Sequence, residues 1–576
     1  MPLSARRLVI LTAVGGACAA LLVALSSVGS SQPRRDAGGP VVRGLYSLIH
    51  ADGGRFDDTY TPVVMQDGRL VTSTNLRIAP GSRVTLRHDA LVSHTLAASA
   101  ALGTHKLLIV PVVWGSRTIK GTQSSDKSFG NGPLAAWYKS ASYGQFTWTA
   151  SATPKVKITA PSGSSVGTWL SQVQSRANTK VSALGYTPKH YSAVLYEVPT
   201  LIGGAAGYGM VPGRYAWVKT PLNIRVAAHE LGHTLGLYHA HADECGNYQM
   251  TDTGDPSPAP SCFSVSHECG GSAGTENASC WSEYGDPFAA MGESWMQMTS
   301  KSPNAGSFDA SEKAQLGWVS AGNGREQTVT QSGDYPISGY EASAHSAPQA
   351  IRMATPNGTF WFEYRTWTGI DSVFQTYFSY FVGQQTGSGY TFPNSVLVHI
   401  DHPVNGGGDL GSLLVDTTPG TTSVTDTCDV DGLASLPSFC DAGLLNGQRF
   451  VDFRHLLVQP SYDAGTGQEY LHVVFDSTGP DVSGMTSSPA DGATVAGTPT
   501  FQLTSPATDA GSGVAYYLLY LDEDVNTDPP PTHVFQNGAT SWDPGSLASG
   551  SHEYTVVAVD WTGNSTVGPQ QTFTIS

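Results

Sequence analysis

The chain has 576 residues, more than one ordinary domain holds, and its 65 glycines and 35 prolines point to short strands joined by many turns. A formal net charge of -16 with only 30 Lys and Arg argues against nucleic acid or an anionic membrane surface as the partner, while 40% hydrophobic residues suffice for real cores.

In chain order, Arg6 and Arg7 precede the apolar run LVILTAVGGACAALLVAL, so residues 1–31 read as a signal peptide or an uncleaved N-terminal anchor. Either reading puts the rest of the chain outside the cell. With Cys18 assigned to that segment, Cys245, Cys262, Cys269, Cys280, Cys428 and Cys440 remain, an even set suited to disulfides in an oxidising compartment. The pairing of the first four stays open, and the absence of any CxxC disfavours a four-cysteine zinc site. Residues 41–104 alternate in the manner of short strands, as in GRLVTSTNLRIAPGSRVTLRHD, and are expected to form a small β pro-segment domain.

The buried-strand run KLLIVPVVW then opens a mixed region over 105–320. Helices are expected near GPLAAWYKSA, GTWLSQVQSRANTKVSALG and NIRVAAHELGHTLGL, with a strand at SAVLYEV, giving an α+β domain. Residues 321–478 read as β-rich from GTFWFEYRTW, NSVLVHID and YLHVVFDS. Residues 479–576, with VAYYLLYLDED and HEYTVVAVDWTGNST, read as an Ig-like β-sandwich without inter-sheet cysteines.

The stretch HELGHTLGLYH, His229 to His239, carries the chemistry. Residues four apart on a helix share a face, so His229 and His233 can turn two imidazoles toward one ion. Glu230 is rotated by about 100° and is better placed to reach a water than to join the ligands. Gly236 permits a left-handed helix end, so the chain can turn back and bring His239 to the same ion. Three neutral imidazoles leave an open tetrahedral position, the requirement for catalytic zinc.

This stretch matches every fixed position of HExxHxxGxxH and so resembles the metzincin metallopeptidases. Together with ASYGQFTWTA, EYGDPFAAMG, DASEKAQLGW and FWFEYRTWTGID it is similar to the gametolysin family of secreted peptidases, over roughly residues 105–475. The resemblance implies a two-lobed catalytic domain with zinc at the cleft floor and Met291 as the Met-turn beneath the histidines. Some metzincin branches place a tyrosine two residues after that methionine. Glu293 stands there in this chain, and no tyrosine is assigned a role.

The resulting expectation is a secreted zinc-dependent endopeptidase with one catalytic Zn2+ held by His229, His233 and His239 and with Glu230 as general base. Its partners would be protein or peptide substrates, with the C-terminal domain available for attachment to a cell surface or wall. The alternative is an adhesion or glycan-binding protein carrying an inactive peptidase fold, against which the intact Glu230 argues. Several other residues have two readings. His241 and Asp243 are either partners orienting His239 or part of a surface loop. His399, Asp401 and His402 in HIDH are better read as a strand end with solvent-facing polar groups than as a metal cluster. Asp426, Asp429 and Asp431 offer a weak Ca2+ site that lacks the closing glutamate, so a plain acidic turn is preferred.

Overall fold

The computed structural model describes residues 41–52, 61–66, 69–72, 82–87, 90–96, 101–243, 281–282, 284–292, 306–356, 358–374, 394–401, 411–417, 442–452, 454–525, 530–536 and 538–576. The fold is mixed, mostly sheet with few helices. Among the described residues no helix is long and apolar enough to cross a membrane; the apolar run before residue 41 lies outside them.

The first sheet is built around Gly103–Val113, whose alternate residues feed two cores. Leu107 and Ile109 point to one side, Leu108, Val110 and Val112 to the other. Burial on both faces is why KLLIVPVV reads as an unbroken apolar run. Phe146–Ala152 and Ala193–Val198 flank it in parallel, and Tyr215–Lys219 adds in parallel to the latter. Gly207–Val211 then turns back antiparallel. Against its free side lies the N-terminal strand Val41–Asp52, also antiparallel, with His50 opposite Gly209 and Asp52 opposite Gly207. Thr61–Gln66 and Arg69–Thr72 extend the sheet outward, so the strands of the N-terminal segment and those of the following region form one sheet.

Helix Val166–Ala183 buries Trp169, Leu170, Val173, Ala177 and Val181 in the second core, a stripe at helical spacing, and Ser165 caps its first turn. Ile49 and Val63 of the N-terminal strands join the same core. On the opposite face, the expected helix at GPLAAWYKSA begins as a wide π-helical turn, Gly130–Leu134, which contains Pro133, and continues as Ala135–Ala141. Helix Ile224–Leu235 packs beside it through Val226, Ala227, Ala228 and Leu231.

A second sheet runs in the order Trp281–Ser282, His241–Asp243, Ser412–Val415, Ser395–Asp401, Gly358–Arg365, Ala350–Thr355, Glu326–Thr328. Its first two strands precede residue 320 in sequence and the other five follow it, so the sheet crosses the expected domain border. A four-stranded sheet formed by Gly333–Ile337, Gln468–Phe475, Leu456–Asp463 and Phe450–Asp452 packs over it through Phe360, Phe362, Val396, Val398, Val458 and Leu471.

Two further sheets, of three and six strands, enclose a C-terminal core around Phe501, Leu519, Tyr554, Val556 and Phe573. They meet the four-stranded sheet where Trp561 covers Val451, Leu457 and Val474 and where the Asp476 carboxylate accepts from the Ser512 amide at 2.7 Å. Among the described residues this C-terminal core shares no member with the core that the histidine helix packs into. Deleting residues 479–576 is therefore expected to leave peptide cleavage within about threefold of the full chain while lowering the melting temperature, because a separately cored unit can be lost without moving the site. A truncated chain that folds and holds metal yet cleaves no short peptide would show that the C-terminal unit belongs to the active site.

Candidate metal centre

The histidine helix is held at both ends by local chemistry. Asn223 caps the start by accepting from the Val226 amide at 2.9 Å, and Gly236 ends it in the left-handed conformation at φ 108°. A Gln315 side chain donates to the Gly236 carbonyl at 2.8 Å and fixes the turn. The chain then doubles back and delivers His239, which is fully buried with His233 and beside the nearly buried His229. The three rings lie 4.7, 5.2 and 5.0 Å apart between centroids, and one nitrogen of each falls within 4.8 Å of the others.

Two of the three rings have their tautomer set by the backbone. His229 Nδ1 lies 3.0 Å from the Ala290 carbonyl and His233 Nδ1 2.9 Å from the Leu237 carbonyl. A carbonyl only accepts, so each Nδ1 carries the proton and each Nε2 keeps its lone pair for a metal. A set of three neutral imidazoles suits zinc and other borderline metal ions.

Glu230 is completely buried on the side of the helix that faces the strand Gly207–Val211. A side-chain carbon on Gly207 would collide with the Glu230 carboxyl, and one on Gly209 would stand 2.5 Å from His233 Cβ and 2.9 Å from the Glu230 carbonyl oxygen. Two glycines spaced by two lie on the same face of a strand, and here they let the helix backbone approach the sheet edge. The sequence carries this signal only as the GxG of GYGMV, which by itself reads as an ordinary strand or turn.

Met291 is fully buried in the first core beneath the helix, where a carbon added to Gly232 would come 2.6 Å from its sulfur. Its carbonyl accepts from the Ala240 amide at 3.0 Å, so the Met291 turn is bonded to both His229 and the residue after His239. A tyrosine does stand at the site, before the methionine rather than after it. Tyr284, buried and at φ 61°, lies against His239 with ring centroids 3.7 Å apart and near-parallel to His229 at 6.0 Å. Its only signal in the sequence is its place in EYGDPFAAMG, seven residues before Met291.

His241 is buried in the strand His241–Asp243, which pairs in parallel with Ser412–Val415, so it does not lie in a surface loop. His399 is fully buried, and the expectation of a solvent-facing strand end fails there because both faces of Ser395–Asp401 are covered. Asp401 is partly buried and accepts from Ser311 and from the Trp361 indole at 2.6 and 2.8 Å. His402, the acidic trio Asp426, Asp429 and Asp431, and the six cysteines outside the first segment all lie outside the described residues.

Around His399 the buried groups are strongly charged. Its Nε2 donates to Asp286 Oδ2 at 2.9 Å, and Nδ1 faces Glu363 at 3.7 Å. Burial pulls the imidazole pKa down, but Glu363, Asp309 and Asp286 outweigh it and raise the value to about 9. Because the folded value exceeds the ordinary 6.5, the stability this group contributes is complete below about pH 6.5 and disappears as pH rises through about 9. Its size is on the order of 3 kcal/mol. The melting-temperature gap between wild type and His399→Leu is thus expected to narrow between pH 6.5 and 9.5, and a gap constant across that range would contradict a protonated His399.

The class follows from this geometry and a sequence comparison together: three buried imidazoles that can hold a metal ion, in a chain whose residues 114–255 match the family model described as gametolysin peptidase M11, indicate a metallopeptidase, a hydrolase of peptide bonds. That part of the chain is gametolysin-like, and a peptidase family implies protein or peptide substrates. No curated protein matches the chain. Three solved structures are faintly similar. CopC from Methylosinus trichosporium OB3b shares 16% identity over 16% of this chain and 91% of that one, with a TM-score of 0.12. The fibronectin(III)-like modules of Clostridium thermocellum CbhA share 13% over 21% and 58%, with a TM-score of 0.14. Dimeric latent PorU from Porphyromonas gingivalis shares 15% over 32% and 16%, with a TM-score of 0.13. At these TM-scores none of the three bears on the fold or function of this chain.

Proposed function

We propose that the chain is a secreted zinc-dependent endopeptidase of the metzincin type, acting on extracellular proteins, with His229, His233 and His239 holding the metal and Glu230 serving as the base. The observation that carries this reading is the convergence of three buried imidazoles with a buried carboxylate one residue along the same helix. Zinc, when bound there, supplies Lewis acidity that polarises a substrate carbonyl and acidifies water to a pKa of about 7. Glu230 takes the proton from the attacking water and hands it to the leaving amine. His229 and His233 keep the tautomers that binding needs through their bonds to Ala290 and Leu237. Met291 packs beneath the helix and takes no part in proton transfer.

On the same reading, residues 41–104 are a pro-segment whose first strand lies where an extended peptide would pair. Exposed strand edges recruit peptides by main-chain hydrogen bonds. The edge of Gly207–Val211, immediately beside Glu230, is taken by Val41–Asp52. No cysteine occurs in residues 41–104, so a thiolate from this segment cannot be the blocking group. The C-terminal unit we read as an Ig-like sandwich serving attachment or targeting.

The test is elemental analysis after gentle purification and zinc resupply, joined to cleavage of a diverse peptide mixture mapped by mass spectrometry with and without chelator. About one zinc per chain and chelator-sensitive cleavage are expected. Less than about a tenth of an equivalent would sink the assignment of the three histidines.

A further inference from the structure

We propose that His399 is a positioning residue for the metal centre, acting through Asp286 on the turn whose Ala290 carbonyl holds His229. The proposal rests on the zinc peptidase reading of the site and assigns it a support from more than a hundred residues downstream of the histidine motif.

The chain of contacts is short and wholly buried. His399 Nε2 donates to one oxygen of Asp286. The other oxygen accepts from the Phe288 and Ala289 amides at 2.7 and 3.2 Å, which closes the turn just before Ala290. The Ala290 amide is bonded to the Ser307 carbonyl at 2.8 Å, and its own carbonyl accepts from His229 Nδ1. Gly292, two residues on, lies so close to the Asp286 carbonyl that a side chain there would collide with it. The orientation of His229 is therefore set by a turn whose shape is fixed by one carboxylate, and that carboxylate is oriented by His399.

The rival explanation is that Asp286 and His399 form only a structural ion pair between two sheets. Three acids face the imidazole: Asp286 from the turn, Asp309 from the start of helix Ala310–Gln315, and Glu363 from the strand Gly358–Arg365. The other two have alternative partners, since Asp309 accepts from the Ser412 hydroxyl and the Glu312 amide, and Glu363 is paired with Arg365 at 2.6 Å. Asp286 Oδ2 is where loss of His399 is felt directly. A group oriented through one intermediary toward a metal ligand typically changes metal affinity by about 10- to 100-fold when removed. A merely structural pair changes stability and leaves the affinity of the folded protein alone.

Three variants of the full chain separate these outcomes: His399→Leu removes the donor, His399→Gln keeps a donor for Asp286, and Asp286→Asn keeps one carboxamide oxygen for the turn while opposing His399 with a second donor. Zinc affinity is read by competition with a chelator, coordination geometry by the visible spectrum of the cobalt(II)-loaded protein, and cleavage by kcat and KM on one peptide. We expect His399→Leu and Asp286→Asn to lose about 10- to 100-fold in zinc affinity, to shift the cobalt spectrum and to lower kcat with KM within about twofold. His399→Gln should recover most of both. If His399→Leu does not fold, the Asp286→Asn comparison decides alone. Variants that melt earlier but keep wild-type zinc affinity and cobalt spectrum would overturn the proposal and leave the peptidase reading standing. A wild-type chain that takes up no zinc would overturn the peptidase reading itself, and the proposal with it.

Discussion

Replacing Glu230 with alanine is expected to leave zinc content unchanged and to lower turnover at least about 10³-fold, since general-base catalysis is typically worth about 10²- to 10⁴-fold and the same carboxylate also serves the leaving amine. His233→Ala should differ by losing zinc as well as turnover. The carboxyl of Glu230 is packed against Gly207, so the alanine variant also opens space in a buried site and should melt somewhat earlier. Glu230→Gln retains the shape without the base and removes that ambiguity: it should match alanine in turnover and wild type in melting. Zinc stoichiometry, melting temperature and turnover on one peptide decide the matter. A Glu230→Ala protein with full zinc and more than about a tenth of wild-type turnover would take Glu230 out of the mechanism.

Freeing the edge strand should raise activity. Five residue pairs join Val41–Asp52 to Gly207–Val211, and a substrate denied even two of the corresponding hydrogen bonds, at about 0.5–1.5 kcal/mol each, loses about 1–3 kcal/mol, or roughly 5- to 150-fold in rate. A single cut after residue 96 is not expected to suffice, because Ile49 and Val63 remain buried in the second core and hold the segment in place. Digestion that removes the strand itself should give the rise, read as peptide turnover against the mass of the N-terminal fragment. Equal rates before and after complete removal would refute strand cover as a brake on activity. So would activation by a thiol-modifying mercurial without trimming.

The candidate metal site is the most legible part of the sequence because its geometry is local. His229, His233 and Gly236 fall within a single helix and its end, where spacing alone dictates direction. The strands Gly103–Val113 and Ala193–Val198 were legible for the opposite reason, as both are buried on two sides and read as continuous apolar runs. What escaped depends on contacts between distant segments. Gly207 and Gly209 look like ordinary turn or strand glycines until a helix is laid on them. His399 sits in VLVHID, where a polar residue after an apolar run suggests an exposed end. It is buried because Val396, Val398 and Ile400 face one core and Leu397 another, a double covering that no period in a single strand reveals. Tyr284 meets His239 from a position far along the chain, a contact that no local pattern encodes.

The parallel pairing of His241–Asp243 with Ser412–Val415 also sets an order of events during synthesis. The backbone just after the third histidine can pair with Trp281–Ser282 early, but it gains its second strand partner only when the chain has grown by roughly 170 further residues, which at about 5–20 residues per second takes roughly ten to thirty seconds. Throughout it, Gly411, which lies against the His239 carbonyl in the folded protein, has not yet been made. A nascent chain therefore carries the whole HELGHTLGLYH stretch, and the Met291 turn that bonds to Ala240, before the segment that covers the other side of His239 exists.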